Sequence, residues 1–370
     1  MLEIRWTEDG ETRSARWRSA NGSPPPARVV VADDRLAAAT AYRLACEGTA
    51  LLWRGDFQAA RRLLRAMARR TERPPRRPAP SPADAFHRHR RDRAQWAVTL
   101  GRLLVPLGPD HAVHLRRAPD VRPACAEVYG PAAEPSVTSL RELLGIVGAH
   151  EWRRRGVEVP ALNDRIHPHY GVFSPVRGEY VDLVARAPLG PLARAFDVGT
   201  GTGVLAAVLA RRGVERLVAT DRDPRAVACA RDNLRRLGLA GRVEVLDADL
   251  FPPGRAQLVV CNPPWLPAKP ASPLDHAVYD PGGRMLRGFL DGLGEHLEPA
   301  GEGWLILSDL AERLGLRTRA DLLTAFADAG LRVVDRLWTR PRHPRAFDGT
   351  DPLHAARAAE ITSLWRLRRT

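Results

Sequence analysis

The segment Asn262-Pro263-Pro264-Trp265 follows the apolar run Leu258–Cys261, which reads as a buried strand. Its residue types suit one task. The Asn262 carboxamide oxygen and the Pro263 carbonyl can accept the hydrogens of a planar NH2 group while positive charge builds on its nitrogen. Two prolines stiffen the loop and remove competing donors. Trp265 offers a flat face on which an amide or a base can stack. The plainer alternative is a proline-rich turn that ends a strand beside a core tryptophan. A second segment lies about sixty residues upstream, Phe196-Asp197-Val198-Gly199-Thr200-Gly201-Thr202-Gly203. Its G-x-G-x-G spacing brings backbone close to a ligand at the carboxyl edge of a sheet, and it is not the G-x-G-x-x-G of a pyrophosphate cradle. Asp221, 24 residues after Asp197, ends the next strand, where a carboxylate can accept both hydroxyls of a ribose. A third strand leads to Asp247-Ala248-Asp249-Leu250, where Asp249, with Asp247 as its rival, can receive an adenine amino group. Asp223, before Pro224, reads as a helix cap.

These residues need strands to carry them. Candidate strands are 195–198, 216–220, 242–246, 258–261, 304–308, 331–337 and 361–367, with helical segments between the first five. That alternation predicts a mostly parallel sheet covered on both faces. An irregular stretch joins the last two strands and predicts a hairpin-like edge. The N-terminal part reads differently. A hairpin turns at Asp9-Gly10. A helix capped by Asp33 or Asp34 runs to about Cys46, and another starts near Phe57 with Phe57, Ala60, Leu63, Leu64 and Met67 on one face. A Pro/Arg-rich loop spans 72–82. Further helices follow from about Ala83 to Leu104 and from Ser136 or Ser139 to about Arg155. The expected division is a mainly α-helical substrate-recognition domain over 1–165 and the strand–helix domain over 166–370.

Composition narrows the function classes. No run of eighteen apolar residues exists and the first residues lack a secretion-signal layout, so neither a membrane span nor export is expected. Four scattered cysteines without a CxxC pair argue against zinc and disulfides and fit a reducing cytoplasmic setting. No metal constellation is visible. His87 and His89 point apart on a helix and read as a solvated basic face, and His167-Pro168-His169-Tyr170 reads as an ordered turn between domains. The net charge is +14, yet Lys269 is the only lysine, so 56 arginines reflect codon usage in part. The surplus is uneven, net +10 over 1–170 and +4 over 171–370. A solvated basic surface and a grip on a macromolecular substrate are both open readings.

The glycine turn, Asp221 and Asn-Pro-Pro-Trp together resemble the class I S-adenosylmethionine-dependent methyltransferases. Asn262–Trp265 matches the [D/N]-P-P-[Y/F/W] signature of their N-methyltransferases acting on adenine, guanine or glutamine. Pro175 and Glu179 fit the segment that precedes the first core strand in HemK-like glutamine methyltransferases, whereas Val176, Arg177, Gly178 and Tyr180 differ from it. Asp249-Leu250-Phe251 is similar to that family's acid-Leu-Phe turn, and Tyr279–Arg284 lies where it carries a glycine-rich loop. The broader small methyltransferase domain group is resembled as well. The resemblance implies a Rossmann-like, seven-stranded, mostly parallel α/β sheet with S-adenosylmethionine as cofactor. It implies Gly199, Gly201 and Gly203 around the methionine moiety, with Asp197 and Thr200 in the same turn. It places Asp221 on the ribose and Asp249 with Leu250 near the adenine, while Asn262 borders both donor and acceptor. Pro263, Pro264 and Trp265 complete the acceptor site. The donor is a sulfonium, so transfer is an in-line displacement that needs no nucleophilic side chain. The implied acceptor is a protein glutamine or a nucleobase amine, linked to translation. The alternative is a small metabolite, with the N-terminal domain as a lid.

Overall fold

A computed structural model describes residues 2–71, 79–131, 134–270 and 274–370. The chain divides into two compact units, 1–78 with 87–151 and 79–86 with 152–370.

In the first unit, β1 (Glu3–Glu8) and β2 (Glu11–Trp17) form a hairpin whose turn, Asp9-Gly10, has φ of 54° and 81°. Both values demand turn residues that tolerate the left-handed region, as a two-residue hairpin requires. Then follow β3 (Arg28–Ala32), α1 (Ala38–Cys46), β4 (Thr49–Trp53), α2 (Phe57–Thr71), α3 (Pro82–Leu100), β5 (Leu103–Leu107), α4 (Arg122–Tyr129), β6 (Ser136–Ser139) and α5 (Leu140–Arg155). The strands make one six-stranded sheet in the order β1-β2-β6-β5-β4-β3. A mainly helical N-terminal domain is therefore corrected to an α/β one. The β1–β2 hairpin was expected; the central strands escaped notice because β4 is buried at all five positions and β5 at four of five. A strand covered on both faces shows no alternation and cannot be told from a helix fragment by pattern. Its two faces are nonetheless distinct. Leu51, Trp53, Leu103 and Val105 pack with α1 and α2, while Ala50, Leu52 and Leu104 pack with Ile4, Trp6, Trp17 and Val137.

Two helix starts also differ from expectation. Asp33 accepts from the Arg35 N–H at 3.0 Å and Asp34 accepts from the Asp56 N–H, so both serve turns and α1 begins later, at Ala38. Ser136 and Ser139 belong to β6, and α5 starts at Leu140. α2 buries the expected face. Most of the Pro/Arg-rich loop, 72–78, lies outside the described residues.

The second unit opens with β7 (Val157–Val159) and β8 (Asp164–Ile166), a small hairpin. Val159, Leu162 and Ile166 are buried against the helix that follows the glycine turn. That packing assigns 152–165 to this unit, which moves the division from 165 to 151. Next come α6 (Glu179–Arg186), β9 (Arg194–Val198), α7 (Val204–Arg211), β10 (Arg216–Asp221), α8 (Pro224–Arg236), β11 (Val243–Asp247) and β12 (Ala256–Cys261). After them lie α9 (Arg284–His296), β13 (Leu297–Ser308), α10 (Leu310–Arg313), α11 (Arg319–Asp328), β14 (Leu331–Thr339), α12 (His354–Ala358) and β15 (Thr362–Arg369). The sheet order is β11-β10-β9-β12-β13-β15-β14. Only β15 runs against its neighbours. All seven expected strands are present, in the Rossmann-like arrangement expected of a class I methyltransferase.

Period-two alternation puts the helices on both faces. Ala195, Leu258, Val260, Trp304 and Ile306 point to α6, α7 and α8; Phe196, Val259, Cys261, Leu305 and Leu307 point to α9 and α11. The residues 79–86 belong to this unit through Phe86, which is 1% exposed. Its ring lies 6.4 Å from that of Tyr279, in a cluster with Leu266, Leu310, Ala311, Leu314 and Leu353. That cluster clamps the segment directly after Trp265. Phe86→Ala should therefore cost about 3–5 kcal/mol of stability in chemical denaturation, the usual cost of emptying a buried aromatic site. Hydrogen exchange should show the loss of protection concentrated in 264–280.

Candidate functional site

The functional residues collect where the parallel strands end. Val198 pairs with Thr220 across β9 and β10, and with Cys261 across β9 and β12. The three strands therefore stop level, and the loops after them face one another. A cavity of about 720 Å3 lies there. That volume is in the ordinary range of ligand sites.

The glycine turn is fixed from below. Gly199, Gly201 and Gly203 have φ of 73°, 56° and 81°, values that side chains rarely adopt. A Cβ on Gly199 would also strike Met285, and one on Gly203 would stand 3.3 Å from the Ala230 backbone on α8. The N–H groups of Gly199 and Thr200 both donate to the Thr220 carbonyl at 2.9 Å. The Asp221 carboxylate accepts from the Gly201 N–H at 3.0 Å and from the Asp223 N–H at 2.9 Å. Desolvation by burial raises the Asp221 pKa, and these bonds oppose it. Each carboxylate oxygen keeps a further lone pair at the cavity wall. Asp223 caps α8, accepting from the Arg225 N–H with Pro224 in the first turn.

Asp197 is placed differently from the rest. It is 1% exposed and does not line the cavity, and neither does Gly203. One Asp197 oxygen accepts from the Thr200 hydroxyl at 2.6 Å and from the Ala206 N–H at 3.1 Å; the other has no partner. Burial pushes its pKa up to about 6 against these bonds, and Asp221 adds a smaller repulsion.

The remaining expected residues all line the cavity: Gly199, Thr200, Gly201, Asp221, Asp249, Leu250, Asn262, Pro263, Pro264 and Trp265. Asp249 forms an ion pair with Arg284. Leu250 holds φ at 72°, and its carbonyl receives the Thr220 hydroxyl. The Trp265 indole N–H donates to Asn262 Oδ1 at 2.9 Å. The tryptophan thus fastens the carboxamide as well as offering a face, and one Asn262 lone pair is already engaged. Beyond it, Leu266 N–H donates to the Val278 carbonyl and the Asp280 N–H donates to the Leu266 carbonyl. Asp280 accepts from the Met285 and Leu286 N–H groups and anchors the start of α9. Tyr279, Asp280, Pro281 and Arg284 therefore both flank the cavity and form the turn before the helix.

Sequence reasoning missed Arg177, Tyr180, Arg357 and Glu360, which also line the cavity. Glu360 is fully buried and accepts from Arg177 Nη2 at 3.1 Å; its second oxygen and Arg177 Nε have no partner. Arg357 pairs with Asp351 at 2.9 Å. Arg357 and Glu360 ride on the connection between β14 and β15, residues 340–361. That connection far exceeds the few residues a hairpin needs, and its length was the available signal. The histidines stay off the cavity. His167 Nδ1 meets the Arg153 carbonyl at 2.6 Å, and His169 Nε2 lies 3.3 Å from Asp232. Among the described residues no cluster of three metal-ligating side chains exists, and no helix is long and apolar enough to cross a membrane. A second cavity of about 760 Å3 opens at the opposite edge of the sheet and contains none of the expected residues.

Parts of this chain are similar to known proteins. Residues 165–309 match the family model of the methyltransferase small domain. A release factor glutamine methyltransferase of Cereibacter sphaeroides is 33% identical over 195 residues, which are 49% of this chain and 65% of that protein. A ribosomal protein L11 methyltransferase of Pelotomaculum thermopropionicum is 51% identical over 69 residues, 18% of this chain and 22% of that protein. The chain thus spans less than two thirds of either relative. Among solved structures, a putative RNA methyltransferase from Pyrococcus horikoshii aligns with a TM-score of 0.39 and 18% identity, over 60% of this chain and 99% of that one. The family match bears out the resemblance to the small methyltransferase domain.

The buried Asp197 generates a pH signature. Its folded pKa lies above the unfolded carboxyl value of about 3.9, so the stabilising, protonated form is lost as pH rises from about 4 through about 6. Denaturation curves of wild type and Asp197→Asn, subtracted from one another across that window, should isolate this loss in the wild type. A flat difference would show that Asp197 ionises as it does in water.

Proposed function

We propose that this chain is an S-adenosylmethionine-dependent N-methyltransferase whose acceptor is a planar amide nitrogen of the glutamine side-chain type, carried by a protein of the translation machinery. The observation that carries the reading is the convergence of Asn262–Trp265 and the glycine turn with Asp221 on one cavity. Both protein names among the relatives, a release factor enzyme and a ribosomal protein enzyme, support a protein acceptor.

The residues present suit the cofactor. Gly199 and Gly201 leave bare backbone at the cavity wall for its amino-acid end, Asp221 has lone pairs for the ribose hydroxyls, and Asp249 and Leu250 line the wall where the adenine would lie. S-adenosylmethionine supplies an electrophilic methyl group on a sulfonium. The protein's part is to present the acceptor nitrogen. An amide nitrogen shares its lone pair with the carbonyl, so it attacks poorly. Asn262 Oδ1 and the Pro263 carbonyl accept its two hydrogens, which aims the lone pair away from them and stabilises the positive charge as it develops. The pre-positioning matters as much as the charge. Trp265 supplies it, because its N–H holds the Asn262 carboxamide in one orientation before the acceptor arrives.

Two experiments test the assignment. Calorimetric titration with S-adenosylmethionine should give micromolar binding that Asp221→Ala weakens, and Asn262→Ala should bind the donor nearly as wild type does. Transfer of labelled methyl into a lysate, fractionated into protein, RNA and metabolites, should label protein. Label confined to RNA or to metabolites would overturn the amide reading. In that assay Asn262→Ala should lose transfer by orders of magnitude, as for a contact made in the transition state.

Trp265→Phe keeps the ring and removes the N–H. It should slow transfer roughly tenfold, the equivalent of one lost hydrogen bond of about 1.4 kcal/mol, with donor affinity unchanged. Unaltered turnover would mean that Trp265 acts only as a stacking face.

A further inference from the structure

Codon usage explains why the chain uses arginine instead of lysine, but it does not explain where acids are missing. Residues 57–93 contain 12 arginines and 3 acids, net +9. That tenth of the chain carries most of the total of +14, and the other nine tenths are close to balanced. A mutational bias towards arginine acts along the whole sequence and leaves no such island.

Two helices, α2 and the start of α3, make up most of the described part of the island. α2 has five arginines and no acid in 15 residues. Phe57, Ala60, Leu63, Leu64 and Met67 bury its apolar face, which turns the arginines outward. Arg62, Arg65 and Arg69 are exposed, and among the described residues none has an ion-pair or hydrogen-bond partner. They stand at i, i+3 and i+7, one stripe with about 5–6 Å between successive side chains. α3 adds Arg91 and Arg93, both exposed and, among the described residues, without a partner. Residues 91–95 are exposed at five consecutive positions, more than a full helical turn, so this stretch of α3 presents its whole circumference to solvent.

Long unpaired arginines at regular spacing are costly to concentrate, because each repels the others. Phosphate groups in a row relieve that repulsion and release counterions in exchange. Guanidinium forks bind phosphate oxygens two at a time. A membrane surface is the weaker fit: a helix that lies in a lipid interface needs an apolar face to insert, and that of α2 is in the protein core. We propose that the arginine stripe of α2, and independently the Arg91–Arg93 turn of α3, bind the phosphate backbone of a nucleic acid. Neither lines the methyl-transfer cavity, and neither depends on the reading given to that cavity.

The test uses the full chain and fluorescence anisotropy with a labelled hairpin of about 20 nucleotides, as RNA and as DNA of the same sequence. Binding should weaken steeply between about 50 and 200 mM salt. The variant Arg62→Gln/Arg65→Gln/Arg69→Gln should lose at least tenfold in affinity at low salt. Its log–log salt slope should shrink by about two to three, close to one per lost phosphate contact. Arg91→Gln/Arg93→Gln should shrink it by up to about two. Equal loss on RNA and DNA identifies a backbone reader, and loss on RNA alone narrows the partner to RNA; both support the proposal. Wild-type binding by both variants overturns it. So does poly-glutamate that competes as well as RNA at equal charge, since the surface then suits acidic protein. Titration of each variant with S-adenosylmethionine reports separately on the fold and on the methyltransferase reading.

Discussion

The level ending of β9, β10 and β12 is the constraint on which the site depends. In a parallel sheet, register is set by ladder pairing, and here it brings Val198, Thr220 and Cys261 to the same height. A shift of β12 by one residue would turn Val260 and Cys261 to the wrong faces and carry Asn262 away from the cavity. The alternation of Leu258 and Val260 against Val259 and Cys261 prevents that slip, because two different sets of helices cover the two faces. The Asn262–Trp265 loop and the glycine turn are thus held in relation to each other by buried strand residues that lie outside both segments.

Polar groups beneath the site complete the arrangement at a cost in stability. Asp197 is buried with one oxygen unpaired, and Glu360 is buried with another. Unpaired buried oxygens are expensive. Asp197 offsets part of that cost by bonding Thr200 and Ala206, which locks the turn to the first residues of α7. Glu360 offsets part through Arg177, which joins the segment before β9 to the long β14–β15 connection. Strain of this kind persists only where surrounding structure overrides it, and here both instances adjoin one cavity.

Much of this architecture was legible in the sequence, and the exceptions have identifiable causes. The second unit announced itself because its strands are separated by amphipathic helices and end in glycine or acid. Asn262, Asp221 and the glycine turn could be placed because each follows directly on a strand. The first unit hid its sheet because Thr49–Trp53 and Leu103–Leu107 are apolar on both faces. Asp197 could be read as important but not as buried, since depth below a turn leaves no trace in spacing. Arg177 and Glu360 stand 183 residues apart and meet only through the fold. The Trp265–Asn262 bond, by contrast, spans three residues and uses the indole N–H, the polar edge of an otherwise flat apolar side chain.

The division between chemistry and recognition follows from those particulars. Under the proposed function, Asn262–Trp265 would select a kind of nitrogen and no more, because two carbonyl acceptors fit any planar NH2 group. Such a motif discriminates poorly between acceptors, since specificity requires that the wrong partner leave something unpaired. The residues able to do that are the ones outside the motif. Arg177, Arg357 and Glu360 form a wall with an unpaired donor and an unpaired acceptor, and a partner that satisfies neither is penalised. These groups come from segments that depart from the resembled glutamine methyltransferases or run far longer than a hairpin needs. Under the proposed function, acceptor choice would therefore be a property of the walls around Asn-Pro-Pro-Trp and of whatever brings the acceptor to them, while the motif would supply the same chemistry to any acceptor that arrives.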